Sequence, residues 1–253
     1  MAAENNGRIT HPSQLVSLRE ALLRADSPEK KVIRVCIDTM CAAKGSEKIH
    51  ERFLRCVQTG KINAEITTKC VGCHGFCEMG PIVVVDPGRI LYGGVTEDDV
   101  EEILSETVLG GKKIDRLLYK VPDTGRRAVI AEEIPFYAAQ KKVVLYGNGI
   151  IDPSSIEDYI AAGGYQALSS VLTTMSPDDV IEEVRLSGLK GRGGGGFPTA
   201  RKWKSCREAS GDSRHVIGNG DEGDPGAFMD RSIMEGNPHL VLEGMAIGAY
   251  AVG

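Results

Sequence analysis

Nowhere does the sequence hold an apolar run approaching the ~20 residues that a bilayer-spanning helix requires. Its first ten residues, MAAENNGRIT, lack the apolar centre of a signal peptide, so a cytoplasmic location and no direct membrane insertion are expected. Surplus positive charge is missing too: 35 acidic residues against 30 basic give a net charge of −5. That balance argues against a nucleic-acid partner, because such domains concentrate positive charge. No internal repeat recurs at a fixed period, and no low-complexity tract occurs beyond one glycine run. Two phosphate-binding signatures, GxxxxGK[ST] and a GxGxxG placed after a strand, are absent as well. What remains is a 253-residue chain that is 42% apolar and 26% charged, enough for one large or two ordinary globular domains.

The glycine run is the most informative stretch. Residues 188–203 read GLKGRGGGGFPTARKW, and residues 218–226 read GNGDEGDPG. Residues without a Cβ let the backbone reach positive φ and let amide groups approach a ligand closely. Arg192, Phe197, Pro198 and Trp203 interrupt the run, which a flexible linker seldom shows. A helix start at Pro198 would add exposed amides and a favourable dipole for an anion such as phosphate. The acidic turn could then bind sugar hydroxyls or ring N–H groups. Taken by their chemistry alone, the two segments describe a pocket for a phosphate-bearing cofactor.

Seven cysteines fall at 36, 41, 56, 70, 73, 77 and 206. Leaving Cys56 aside, the clustering of five of them between 36 and 77 points to metal rather than disulfides in a reducing compartment. Cys36-x4-Cys41 and Cys73-x3-Cys77 form two pairs on two loops, and such a set can close around zinc or an iron–sulfur cluster. Cys70-x2-Cys73 has the spacing common in zinc sites but leaves Cys77 idle. Cys56 and Cys206 read as packing or surface thiols. His74 lies between two candidate ligands and is not needed where four cysteines serve. His50, His215 and His239 stand in no motif.

Hydrophobic periodicity outlines the rest. Residues 12–25 (PSQLVSLREALLRA) repeat leucine at helical spacing. Residues 31–38 (KVIRVCID) and 64–69 read as strands, with a helix over 42–58 stopping at Gly60. Residues 82–85 and 89–92 predict a hairpin over Asp86, Pro87 and Gly88. Thr96 to Asp99 form a capping box for a helix reaching Leu109. Further strands are expected over 141–146 and 215–217. Helices are expected from Pro153 and from Pro177, each at a first helical position. The order strand, helix, strand, hairpin, helix is thioredoxin-like in outline.

Two segments carry a resemblance to known families. GRGGGGFPTARKW followed by GNGDEGDPGAFMDRSIMEGNPHLVLEGMAIGAYAVG resembles the FMN-binding subunit of NADH dehydrogenases. That family includes the NADH-oxidising subunit of respiratory complex I and related subunits of NAD-linked hydrogenases and formate dehydrogenases, some electron-bifurcating. CHGFCEMGPIVVVDPGRILYGGV, residues 73–95, resembles the second cluster loop of thioredoxin-like [2Fe–2S] ferredoxins. The resemblance implies that Cys36, Cys41, Cys73 and Cys77 ligate a [2Fe–2S] cluster. It implies that Gly191, Arg192, Gly193 and Lys202 hold FMN by its phosphate and ring, while Asn219, Asp221, Glu222 and Gly223 contact its ribityl chain and isoalloxazine. Phe197 and Asp224 would face NAD(H). Ser205 departs from the pattern, since many members carry phenylalanine there.

The expected organisation is a helical extension (1–29), a thioredoxin-like [2Fe–2S] domain (30–111), a linker (112–127) and the first part of an α/β FMN- and NAD(H)-binding domain (128–253). In the family that domain continues past this point to a [4Fe–4S] module, so the chain reads as part of such a subunit. The resemblance implies an NADH dehydrogenase (diaphorase)-type subunit that moves electrons between NAD(H), FMN and iron–sulfur clusters, with no general base of its own. Its partners would be other subunits of a redox complex: a ferredoxin-like small subunit, or a hydrogenase or dehydrogenase catalytic subunit. The competing expectation is a [2Fe–2S] electron-transfer and assembly module without a working flavin site.

Overall fold

Four short strands, most of their residues buried, build the first half of the chain. The computed structural model describes residues 8–27, 29–59 and 65–253. Strand β1 (Lys31–Cys36) pairs in parallel with β2 (Ile66–Val71) and antiparallel with β3 (Val83–Val85), which pairs antiparallel with β4 (Ile90–Tyr92). The sheet order is β2-β1-β3-β4. Successive side chains point to opposite faces. Ile33, Val35, Val83, Val85, Ile90 and Tyr92 therefore enter one core, while Val84 and Leu91 enter another. The hairpin between β3 and β4 turns where the sequence predicts it. Arg34 pins that turn through an ion pair with Asp86 at 2.7 Å.

Helices cover the first face. The predicted helix over 42–58 is two helices, α2 (Thr39–Ala43) and α3 (Ser46–Gln58), parted at Gly45, whose φ of 91° breaks the helical path. The stop expected at Gly60 and the strand start expected at Ala64 lie outside the described residues. Ile49 and Phe53 of α3 are fully buried on this face, and truncating a buried phenylalanine costs about 3–5 kcal/mol. The helix expected to reach Leu109 changes winding. It opens as a 3₁₀ turn with Thr96 and Asp99 in a reciprocal capping box, passes through α4 (Val100–Glu102), and ends as a π-helix over Ile103–Leu109. Gly110 N–H then donates to Ser105 C=O at 3.0 Å.

The expected linker is a correction. Residues 112–127 do not bridge open space. Ile114, Leu117 and Leu118 close the first core, and Val121 and Ala128 enter the second, in a stretch that holds a 3₁₀ turn (Asp115–Leu117), β5 (Tyr119–Lys120) and its partner β6 (Arg127–Ala128). Leu117, Leu118 and Val121 are buried. The cover of the second face continues to Ile134 and Tyr137, the latter in α5 (Pro135–Ala138). The reason is that a sheet apolar on both faces needs a layer on each. Polarity in that stretch marked its outer surface rather than a tether.

Two expected strands do not form. Residues 141–146 and 215–217 lack a partner, and a strand without a ladder leaves its backbone groups unpaired. Val143 and Ile217 are accordingly exposed at 68% and 83%. From α6 (Ile156–Ala161) onward the chain is helical: α7 (Gln166–Thr174), α8 (Pro177–Leu186), α9 (Thr199–Glu208), α10 (Met229–Gly236) and α11 (Pro238–Val252). Val171, Val180, Ile181, Ala200 and Ala251 close a third core from four of these helices. The first helix, α1 (Pro12–Ala25), packs on α6 and α7, with Arg19 Nε donating to Ala161 C=O at 3.3 Å. Among the described residues no helix is long and apolar enough to cross a membrane.

Candidate functional site

The parallel pairing of β1 and β2 decides where the cysteines lie. Cys36 stands opposite Val71, so the loops leaving both strands emerge side by side, tied by Ile37 N–H donating to Val71 C=O at 3.1 Å. One loop supplies Cys36 and, in α2, Cys41. The other supplies Cys73 and, at the start of a 3₁₀ turn, Cys77. Cys36, Cys41 and Cys73 are buried and Cys77 is exposed. A Cβ built on Gly80 would fall 2.9 Å from Cys41 Sγ, so only glycine admits that thiol. Gly75 N–H donates to Cys73 Sγ at 3.2 Å, an interaction that favours the thiolate. Lys44 Nζ crosses between the loops, donating to Cys77 C=O and Gly80 C=O, both at 3.1 Å.

The neighbouring Cys41 thiol and burial drive Cys36 far above the ordinary thiol value, while the Cys36 thiol draws Cys41 down to about 7. Burial pushes Cys73 up to about 11. Among the described residues no three His, Cys, Asp or Glu side chains stand together as a ready metal site. The residues fit a [2Fe–2S] group in donor chemistry and backbone placement: four cysteines, two adjacent loops, an N–H aimed at sulfur. Cationic attraction to the same sulfurs would offset the cost of burying their charge.

The remaining thiols and imidazoles have ordinary surroundings. Cys56 packs on the first core. Cys70 Sγ lies 3.2 Å from His50 Nδ1, yet burial raises that thiol to about 11, which keeps it unreactive. His74 is buried, and desolvation lowers it to about 3, so it is neutral. His239 stacks on Tyr159 and its Nδ1 lies 2.8 Å from Tyr165 Oη.

The glycine run forms an open loop with a closed neck. Lys190 bridges to Pro198, Gly191 N–H donates to Phe197 C=O at 2.9 Å, and Thr199 N–H donates to Leu189 C=O at 3.0 Å. A Cβ built on Gly193, Gly194, Gly195 or Gly196 would meet nothing within 4 Å, and Gly194 and Gly196 hold φ of 90° and 57°. This is a run of accessible backbone ahead of α9, with Arg192 and Lys202 exposed beside it. It fits an anionic group by its chemistry. Phe197 is also exposed, its ring 5.6 Å below the Arg201 guanidinium.

The acidic turn is built differently from expectation at one residue. Asn219 Oδ1 accepts from Asp221 N–H at 3.0 Å, closing a local turn, and Asp221, Gly223 and Asp224 are exposed. Glu222 is half-buried and turns toward α10. Its carboxylate accepts from Asp230 N–H at 2.7 Å and Arg231 N–H at 3.3 Å, capping α10. It does so at φ 48°, in the left-handed region. Both segments rest on α11: Trp203 packs at Gly248, and Gly218 packs at Met245. Among the described residues no hydrogen bond joins residues 188–203 to 218–226.

Sequence reading missed the junction between the two halves. A Cβ built on Gly72 would lie 2.5 Å from Gly236 Cα, and Asn148 is buried between them with its Nδ2 donating to Ser232 C=O at 3.1 Å. Gly149 presses on the His74 ring, where a Cβ would lie 2.6 Å away. Asn237 Nδ2 donates to Tyr146 C=O at 3.1 Å, and Lys69 pairs with Asp158 at 2.6 Å. The cue in the sequence was glycine on both sides of Asn148, which reads as a turn and says nothing of burial. Also missed was Glu243, buried in the apolar α11. It accepts from Tyr159 Oη at 2.5 Å, Tyr165 N–H at 2.8 Å and Leu168 N–H at 3.0 Å.

Comparison with known proteins agrees with this division. Residues 22–108 match the thioredoxin-like [2Fe-2S] ferredoxins, and residues 184–253 match the Nuo51 FMN-binding domain. The NADP-reducing hydrogenase subunit HndC of Solidesulfovibrio fructosivorans is 51% identical over 114 residues, covering 45% of this chain and 23% of that protein. An NADH-quinone oxidoreductase subunit of Rhizobium meliloti is 45% identical over 111 residues, covering 44% of this chain and 26% of that protein. The matched stretch thus spans about a quarter of each relative. A thioredoxin-like [2Fe-2S] ferredoxin from Aquifex aeolicus aligns with a TM-score of 0.33 at 33% identity, over 35% of this chain and 89% of that one. The chain is thus similar over residues 22–108 to the thioredoxin-like [2Fe-2S] ferredoxins, and over residues 184–253 to the Nuo51 FMN-binding domain.

Proposed function

We propose that the chain is an electron-transfer module of an NADH dehydrogenase-type oxidoreductase, working with other subunits of a redox complex. Cys36, Cys41, Cys73 and Cys77 would hold a [2Fe–2S] cluster. Gly191, Arg192, Gly193 and Lys202, with Asn219, Asp221 and Gly223, would hold FMN, and Phe197 and Asp224 would face NAD(H). FMN, when bound, exchanges electron pairs with a nicotinamide and single electrons with an iron–sulfur centre. The open amides of the glycine loop and the charges of Arg192 and Lys202 would bind phosphate or a reduced, anionic ring. Asn219 and Asp221 would accept from hydroxyls. Glu222 supports the site from behind by fixing α10. A terminal donor or acceptor such as a hydrogenase or formate dehydrogenase would be supplied by partner subunits.

The observation that carries this reading is the junction of Gly72, Asn148 and Gly236. It fastens the loop of Cys73 to one end of α10, while the acidic turn caps the other end. Eight helical residues span roughly 12 Å. A rigid rod of that length is what two redox groups need in order to keep a fixed separation. The test is anaerobic purification followed by iron and sulfide analysis, electron paramagnetic resonance, flavin titration and NADH-linked dye reduction. Zinc in place of iron would defeat the cluster assignment.

A second reading draws on the exposure of the flavin-side candidates. If only the ferredoxin half is active, the chain is a [2Fe–2S] transfer and assembly module. Cluster signals with neither flavin binding nor dye reduction would favour it.

A further inference from the structure

The second face of the sheet carries a lid over the cysteine loops that the family signatures do not include. Phe136 stacks on Phe76 with centroids 4.6 Å apart, and Tyr137 meets Phe76 edge-on at 5.7 Å. Phe76 and Tyr137 share a buried core with Cys36 and Cys41. Beyond the lid, Lys142 folds back. Its ammonium lies 4.9 Å from the Tyr137 ring centroid and donates to His74 C=O at 3.2 Å. His74 sits between Cys73 and Cys77, so Lys142 grips the middle of the second cysteine loop. Glu132, the acidic group facing Lys142, is already paired with Arg89. The floor around this ammonium is a cavity of about 660 Å³ lined in part by Arg34, His74, Tyr137, Lys142 and Asn148.

We propose that Lys142 is a positioning residue for the iron–sulfur group, holding the His74 carbonyl in place and raising the group's reduction potential with its own positive charge. The inference rests on the reading that the four cysteines hold a [2Fe–2S] cluster. Four thiolates around two irons make an anionic group, and reduction adds one more negative charge. A nearby cation therefore stabilises the reduced form more than the oxidised one. The ring of Tyr137 beneath the ammonium favours the charge in that position. Burial lowers the proton affinity of the ammonium, while the charges of the cysteine sulfurs and of Glu132 oppose that shift. Lys141, exposed like Lys142, makes none of these contacts, so it serves as a control.

The experiment uses the full chain, purified anaerobically, as the parent and as Lys142→Gln, Lys142→Arg and Lys141→Gln. Midpoint potentials are read by dye-mediated titration with paramagnetic resonance detection of the reduced cluster. Lys142→Gln should shift the midpoint negative by on the order of tenfold in the reduction equilibrium, which is about 59 mV for one electron. Lys142→Arg should restore the parent value, and Lys141→Gln should leave it unchanged. An unshifted Lys142→Gln, or an equal shift in Lys141→Gln, overturns the proposal. Should Lys142→Gln lose the cluster, Lys142→Arg decides: a retained cluster at the parent potential supports it, and loss there too overturns it. Absence of iron from the parent chain would instead defeat the cluster assignment itself.

Discussion

Gly72→Ala should loosen the junction between the two halves. A built Cβ stands 2.5 Å from Gly236 Cα and 3.2 Å from the Asn148 side chain, against an optimal carbon–carbon separation of about 3.5–4.0 Å. The nearest atom is backbone, so no rotamer change relieves the overlap. Either the loop of Cys73 or the whole of α10 must shift by about 1 Å. Helix α10 is held by the Glu222 cap and by Asn148 Nδ2 on Ser232 C=O, and the bond from Asn237 Nδ2 to Tyr146 C=O anchors the residue that follows it. Overpacking costs about 1–3 kcal/mol, and a weakened bond to a buried amide adds about 1 kcal/mol. The expected destabilisation is about 3 kcal/mol, or roughly 6–12 °C in the melting temperature of a chain this size.

The assay is chemical denaturation together with hydrogen exchange at the amides of α10. A junction weakened by that much should speed their exchange about 100-fold wherever local opening controls it. Gly236→Ala provides an internal contrast, because its built Cβ meets the Asn148 side chain, with Nδ2 at 2.5 Å. Asn148→Ala should therefore rescue Gly236→Ala and should not rescue Gly72→Ala. Since both glycines share one contact, the double alanine variant should cost less than the sum. A Gly72→Ala protein within about 0.5 kcal/mol of the parent, with unchanged exchange in α10, refutes the reasoning.

Three further outcomes are expected. Cys41→Ser and Cys73→Ser should each sharply lower iron content, measured by elemental analysis of anaerobically prepared protein, whereas Cys206→Ser should not. Burial opposes ionisation of Asp99, but hydrogen bonds from the Thr96 backbone and hydroxyl, with Arg116, outweigh it and hold its carboxyl below the ordinary range. A depressed folded value contributes stability above the unfolded value of about 3.9 and loses it as pH falls through the folded one. Asp99→Asn should therefore be destabilising at neutral pH and show a flatter loss of stability below about pH 4 in denaturation curves. Glu243→Ala strands two backbone amides and a tyrosine hydroxyl in the interior. It should cost about 3–5 kcal/mol by urea unfolding, while Glu243→Gln should cost less.

The sequence made the ferredoxin half legible because its signals were local. The β-branched residues of β1 and β3, the Asp86-Pro87-Gly88 turn and the Thr96 capping box each name their own structure. The failures share one cause. Residues 141–146 and 215–217 have strand-like composition, but a strand exists only where another strand offers its edge. Residues 112–127 look polar because half of each short element faces solvent, and no local pattern tells that the other half covers a sheet. That Cys36, Cys41, Cys73 and Cys77 fall on two separate loops was legible from their spacing. Gly72, Asn148 and Gly236 were not, since contact across the chain leaves no periodic trace.

Glu222 shows why the flavin side was only half readable. A signature residue can be placed in a motif for two reasons that sequence cannot separate: to touch a ligand, or to hold the elements that do. Here its carboxylate caps α10, and it accepts a left-handed backbone at φ 48° to do so. That conformation costs a non-glycine residue roughly 1–2 kcal/mol, and an N-terminal cap of about 1–2 kcal/mol offsets it. The near balance means that the position is held for geometry more than for stability. The cap turns the acidic loop toward α10, and α10 ends against Gly72. Removing the carboxylate would thus disturb the placement of Asp221 and Gly223 and the seat of the Cys73 loop together. The two halves are joined mechanically through one short helix that meets the acidic turn at one end and the Cys73 loop at the other.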